Sequence, residues 1–142
     1  MHILARAVVL SEGKVLVAQA EGASNTFLPG GHVESGESIP AALARELEEE
    51  MGVQAAVECY LGAVEHMWKE NKQNNYEINH CFNVHCADLH PGKAVTSKEK
   101  HLSFKWLKVT ELKTQNLLPA PLQHLIFSLE EGVQDVWWAS TL

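Results

Sequence analysis

The hydrophobic pattern divides the chain into short apolar runs and two helical stripes. Residues 2–10 and 14–19 are rich in Val, Leu, Ile and Ala, which predicts two strands. Ser11-Glu12-Gly13 between them is a hairpin turn signal. After a polar loop over 20–26, Phe27-Leu28-Pro29-Gly30-Gly31 reads as a short strand running into a glycine-rich bend. A helix follows over about 38–51. Leu43, Leu47 and Met51 recur at i, i+4 and i+8, Ser38 suits the N-cap, Pro40 is tolerated in the first turn, and Gly52 suits the C-terminal cap.

Residues 54–68 predict a long strand interrupted at Gly62, and the wholly polar Lys69–Asn75 predicts an exposed turn. Tyr76–Cys86 and Phe104–Val109 predict further strands, joined by a polar loop around 90–100. A second helix over about 121–131 opens at Pro121, carries Leu122, Leu125, Ile126 and Leu129 on one face, and closes at Gly132. Trp137-Trp138 follows in the tail. Strands before and after a central helix predict an α/β domain with a mixed sheet packed between helices.

Composition adds limits. A chain of 142 residues, 46% apolar and 20% charged, has the size and make-up of one globular domain. Eleven Lys and Arg against eighteen Asp and Glu give a net charge of −7, which argues against a long nucleic acid as partner. A single nucleotide held through a cation stays compatible with that charge. No run reaches the roughly 20 apolar residues that span a bilayer, and Met1–Arg6 has no secretory pattern, so no membrane partner is expected. Three cysteines (Cys59, Cys81 and Cys86) predict no disulfide framework and a reducing, cytoplasmic compartment. His80-Cys81 and His85-Cys86 offer only two ligands per strand face, too few for a closed zinc site.

The first helix holds the candidate chemistry. Glu46, Glu48, Glu49 and Glu50 crowd its second half, with Arg45 alone beside them. Glu46, Glu49 and Glu50 share a face at i, i+3 and i+4, where like charges destabilise a helix by a few tenths of a kcal/mol per pair. A divalent ion such as Mg²⁺ or Mn²⁺ would relieve that repulsion; a solvated acidic face is the plainer alternative.

Upstream residues extend this run into a longer pattern. Gly31, Glu37, Arg45, Glu46, Leu47, Glu49, Glu50, Gly52 and Val53 fill every fixed position of G-x5-E-x7-R-E-U-x-E-E-x-G-U, U being aliphatic. The segment Gly31–Val53 thereby resembles the Nudix box, and the chain is similar to Nudix hydrolases over most of its length. The resemblance implies an α/β/α sandwich, with residues 1–142 as a single Nudix domain. It also implies metal-dependent hydrolysis of a pyrophosphate bond in a nucleoside diphosphate-linked small molecule by water attack at phosphorus. A nucleoside triphosphate or a nucleotide sugar such as ADP-ribose fits that class.

Carried over by position, Glu46, Glu49, Glu50 and the Gly31 carbonyl become metal ligands for Mg²⁺ or Mn²⁺. Glu37, Arg45 and Gly52 become supports of the loop and helix. The general base stays open between Glu46, within the box, and Glu99, on the loop before the Trp106 strand. Glu48 fills a variable position and reads as a solvated charge. Arg6, His32, Glu65, Tyr76, Glu77, Trp137 and Trp138 are available to flank a substrate pocket, with none singled out. Homodimerisation is left open. The competing function is a catalytically silent nucleotide-binding or regulatory module of the same fold, which an intact box disfavours.

Overall fold

The computed structural model describes residues 1–142. Eight strands and two helices follow one another as β1 (His2–Val8), β2 (Leu10–Ser11), β3 (Lys14–Ala20), β4 (Gly30–His32), α1 (Ile39–Met51), β5 (Ala56–Glu70), β6 (Gln73–His85), β7 (Leu102–Lys108), α2 (Pro121–Glu130) and β8 (Trp137–Ser140). A mixed sheet has the order β4-β1-β6-β5-β8, and a three-stranded antiparallel sheet the order β2-β3-β7. Within the mixed sheet β1 runs parallel to β6 and β5 parallel to β8, while β1–β4 and β5–β6 are antiparallel.

Strand alternation divides the core in two. Ala5, Ala7 and Val9 meet Leu43, Leu47 and Met51 of α1 together with Phe82 and Val84 of β6. Val8, on the opposite face, joins Val64, Cys81 and Val17 against Leu122 and Ile126 of α2. The mixed sheet thus lies between the helices, as the period-two and period-3.6 patterns predict. No helix is long and apolar enough to cross a membrane.

The ends of α1 follow from their residues. Ser38 Oγ accepts the Ala41 N–H at 3.3 Å, and Gly52, at φ +70°, donates its N–H to the Glu48 carbonyl at 2.8 Å. Four local expectations need correction. Lys69–Asn75 is not a long turn: β5 continues to Glu70, β6 begins at Gln73, and only Asn71-Lys72 turns, both at positive φ. Left-handed residue pairs match the twist of a hairpin, and strands that project into solvent need no apolar residues. Gly62 does not interrupt β5, which passes it through register shifts between Val57 and Gly62. Gly30-Gly31 is strand rather than bend, because Gly30 at φ +137° brings β4 so close to β1 that a Cβ would lie 2.0 Å from the Ala5 carbonyl oxygen. Trp137-Trp138, placed in the tail, opens a strand that the hydrophobic pattern did not predict, β8, with Trp137 buried beside α2.

Candidate active site

The loop before α1 is tied to the helix by one residue. Arg45 grips Glu37 with two N–H groups, Nη2 to Oε1 at 2.7 Å and Nε to Oε2 at 3.0 Å. Its Nη2 also donates to the His32 carbonyl at 3.1 Å. Glu37 Oε1 in turn accepts the Glu34 N–H at 2.8 Å, closing the turn. These bonds, that from Arg45 first, hold the Glu37 carboxyl down at about 2. The same contacts push Arg45 above the ordinary guanidinium range.

The acidic face spreads along one side of α1. Glu46 is mostly covered, and its carboxylate packs where Gly31 lacks a side chain; a Cβ there would sit 2.5 Å from its carboxyl carbon. Glu46 Oε1 accepts Arg45 Nη1 at 3.1 Å, and the more exposed Glu49 takes the same nitrogen at 3.3 Å. Glu50 is buried, and its Oε2 has no hydrogen-bond partner. Burial pushes the Glu50 carboxyl up to about 8, with Glu46 and Glu99 adding repulsion and Arg6 and the Gly30 amide opposing it. Glu48 points to solvent, as its variable position predicts.

No three acidic, His or Cys side chains converge as a ready cage, because Glu46 and Glu49 both turn to Arg45. The donors nonetheless suit a hard divalent cation. They are carboxylate oxygens, one is buried and unpartnered, and the Glu49–Arg45 pair is half-exposed and cheap to part. His80, Cys81, His85 and Cys86 form no such group, and all three cysteines are free.

Glu99 lies in a bend of the connection between β6 and β7, exposed and close enough to Glu50 to disfavour its ionisation. Two elements far apart in sequence thus bring together the acidic helix face and the outlying carboxylate. Arg6 is a contribution that sequence reading left among undifferentiated pocket residues. A cation in the middle of an otherwise apolar strand was the available signal.

Arg6 also belongs to a cavity of about 340 Å³ on the α2 side of the sheet, with Phe27, Trp68, Glu77, Asn79 and Leu118 among its walls. Arg6 Nε donates to Asn79 Oδ1 at 3.2 Å and Nη1 to the Leu28 carbonyl at 3.1 Å, with the guanidinium 5.5 Å above the Phe27 ring. Asn79, fully buried, donates to the Val64 carbonyl and to Glu77 Oε1. Of the residues expected to flank a pocket, Arg6 and Glu77 line this one; His32, Glu65, Tyr76, Trp137 and Trp138 do not.

The sequence profile described as the NUDIX domain matches residues 1–127. The chain belongs to this family. It is 29% identical over 120 residues to the CTP pyrophosphohydrolase of Escherichia coli K12, covering 82% of each chain. It is 25% identical over 130 residues to the 8-oxo-dGTP diphosphatase of Buchnera aphidicola subsp. Schizaphis graminum, covering 89% of this chain and 91% of the relative. Among solved structures, the solution structure of the Escherichia coli ORF135 protein superposes with a TM-score of 0.68 at 25% identity, covering 93% of this chain and 92% of the other. The protein is a Nudix hydrolase with pyrophosphohydrolase relatives, and members of this family generally work with divalent metal ions on small nucleotides.

Proposed function

We propose that this Nudix hydrolase cleaves a pyrophosphate bond of a small nucleotide, a nucleoside triphosphate ahead of a nucleotide sugar such as ADP-ribose. The two curated relatives, one named for CTP and one for 8-oxo-dGTP, support that order. Residues 1–142 act as one domain, since one half of the core draws on segments from β1 to β7 and the other on segments from β1 to β8. Three unpaired cysteines fit a cytoplasmic setting.

The observation that carries the reading is Glu50: a buried carboxylate with an unpartnered oxygen, between Glu46 and Glu99. A buried polar atom without a protein partner calls for an explanation, and a bound ion beside further carboxylates is one that fits this site. Glu46, Glu49, Glu50 and the Gly31 carbonyl hold Mg²⁺ or Mn²⁺ in this reading. The bound ion supplies charge neutralisation at the pyrophosphate and Lewis acidity at phosphorus. Arg45 and Glu37 keep the loop at a fixed angle to α1, so Gly31 and Glu46 stay adjacent. The cavity at Arg6 takes the organic end of the nucleotide, with Phe27 and Trp68 available for stacking.

Glu99 takes the proton from the attacking water. It lies outside the Arg45 network and outside the set of residues that hold the cation in this reading. The water oxygen bonds to phosphorus, the bond from phosphorus to the bridging oxygen breaks, and the bridging oxygen leaves with the departing phosphate.

The test is a panel of CTP, dCTP, 8-oxo-dGTP, UTP, ATP and ADP-ribose with Mg²⁺ or Mn²⁺, with both products identified. A nucleoside monophosphate with pyrophosphate, or the corresponding split of ADP-ribose, supports the proposal. Binding without turnover under every condition moves the protein to the silent nucleotide-binding class.

A further inference from the structure

The stretch from Pro91 to His101 contains no helix or strand; Val95 packs on the core, His101 at the far end pairs with Glu21, and Lys98 between them fastens the stretch to α1. Lys98 donates its backbone N–H to the carbonyl of Glu50 at 2.8 Å. That carbonyl is among the last four of α1, which lack partners within the helix. The side chain of Lys98 then crosses the helix end directly over Gly52. A Cβ built on Gly52 would lie 2.6 Å from Lys98 Cε and 2.9 Å from its Nζ. The ammonium therefore rests at the negative end of the α1 dipole, where a cation is favoured.

The next residue is Glu99, and its backbone is fixed as well. Ser97 Oγ accepts the Glu99 N–H at 3.2 Å and donates to the Glu99 carbonyl at 2.9 Å. An exposed, irregular connection thus reaches the acidic helix in a defined conformation. The fastening acts on the backbone of Glu50 itself, one residue removed from the carboxylate it brings near.

We infer that Lys98 is a positioning residue, clamping the loop across Gly52 onto the end of α1 so that the Glu99 carboxylate is held beside Glu50. The inference rests on Glu99 as the proton acceptor. It also gives Gly52 a second task. Besides the left-handed cap at φ +70°, the bare glycine leaves the path along which the lysine crosses. An alanine would meet both the backbone strain and the lysine stem.

Lys98→Met keeps the stem and removes the ammonium, and Lys98→Arg restores the charge. Steady-state kinetics of the full chain with Mn²⁺ and the best nucleotide of the panel should show kcat reduced about tenfold in Lys98→Met, with KM within about twofold of wild type. Lys98→Arg should recover most of the loss, and the melting temperature should move little, because the side chain is exposed. Glu99→Gln alone should lose about 10²–10⁴ in kcat. The double variant should be no slower than Glu99→Gln, since a clamp has nothing to place once the base is gone.

Wild-type kcat in Lys98→Met beside a collapsed Glu99→Gln overturns the clamp and leaves the base in place. Losses that multiply in the double variant also overturn it, since Lys98 then acts apart from Glu99. Wild-type kcat in Glu99→Gln removes the base assignment and the clamp together, while turnover of the wild type still upholds the hydrolase reading.

Discussion

In the metal-free protein, Glu50→Gln should raise stability while abolishing turnover. Glu50 is buried, one of its oxygens has no partner, and its carboxyl titrates near 8 in the folded protein against 4.5 in the unfolded chain. Between those values the folded state keeps a proton that the unfolded chain has released. The folded state therefore binds more protons, and stability falls as pH rises through the window. At pH 7 the acid lies about 2.5 pH units above its unfolded value, and at about 1.4 kcal/mol per unit the penalty is about 3 kcal/mol. Glutamine removes that penalty but leaves a buried amide short of partners, which takes back about 1–2 kcal/mol. The net gain is about 1–2 kcal/mol at pH 7 and shrinks towards zero or below near pH 5. Urea unfolding of both proteins in chelator, at pH 5 and pH 7.5, measures it. Saturating Mg²⁺ or Mn²⁺ should then stabilise the wild type more than the variant, because the ion binds only the folded site. A variant less stable than wild type at pH 7.5 in chelator would refute the claim that Glu50 is held at a cost to the empty fold.

Three further outcomes follow from the geometry. Glu49→Gln should lose most of its kcat, whereas Glu48→Gln, at the solvent-facing position, should stay within about threefold of wild type in the same assay. The Glu37–Arg45 pair stabilises fully above about pH 4.5 and loses its contribution as pH falls through about 2, so the gap in urea midpoint between wild type and Glu37→Gln should close on acidification from pH 5. Titration with a thiol reagent at pH 8 should label Cys59 quickly and the buried Cys81 and Cys86 only after unfolding. Burial pushes the Cys81 thiol up to about 12, so almost no thiolate is present there.

Local features of the fold could be read directly from the residues. The stripe Leu43, Leu47, Met51, with Ser38 and Gly52 as caps, defines α1 to within a residue, because helix ends depend on nearest neighbours in sequence. The fixed spacing of the box likewise delivers the Glu37–Arg45 fork and the shared face of Glu46 and Glu50. Non-local contacts were not legible. The Lys69–Asn75 segment is polar in strand and turn alike, so polarity carried no information about where β5 ends. Trp137 stands among the residues available to flank a pocket until β8 is paired with β5 across 75 positions of sequence, which buries it. The burial of Glu50 separates it from its exposed neighbour Glu49, and period alone treats the two as equals. The cavity draws its walls from segments as distant as Arg6 and Leu122, which no spacing rule connects.

The profile match stops at residue 127, whereas the mixed sheet ends on Trp137–Ser140. A boundary drawn from similarity alone would therefore cut through the architecture. Gly62 shows how closely the two parts are fitted: a Cβ there would lie 2.3 Å from the Trp137 carbonyl oxygen. A protein trimmed after residue 127 loses the last turn of α2 and the buried Trp137, and it strips one side of β5 along Gly62–Glu65. Those backbone groups then form a sticky border, open to any passing strand. The last strand thus moves the sheet's edge from the long β5 to a strand of four residues, which leaves far less open backbone for another chain to join.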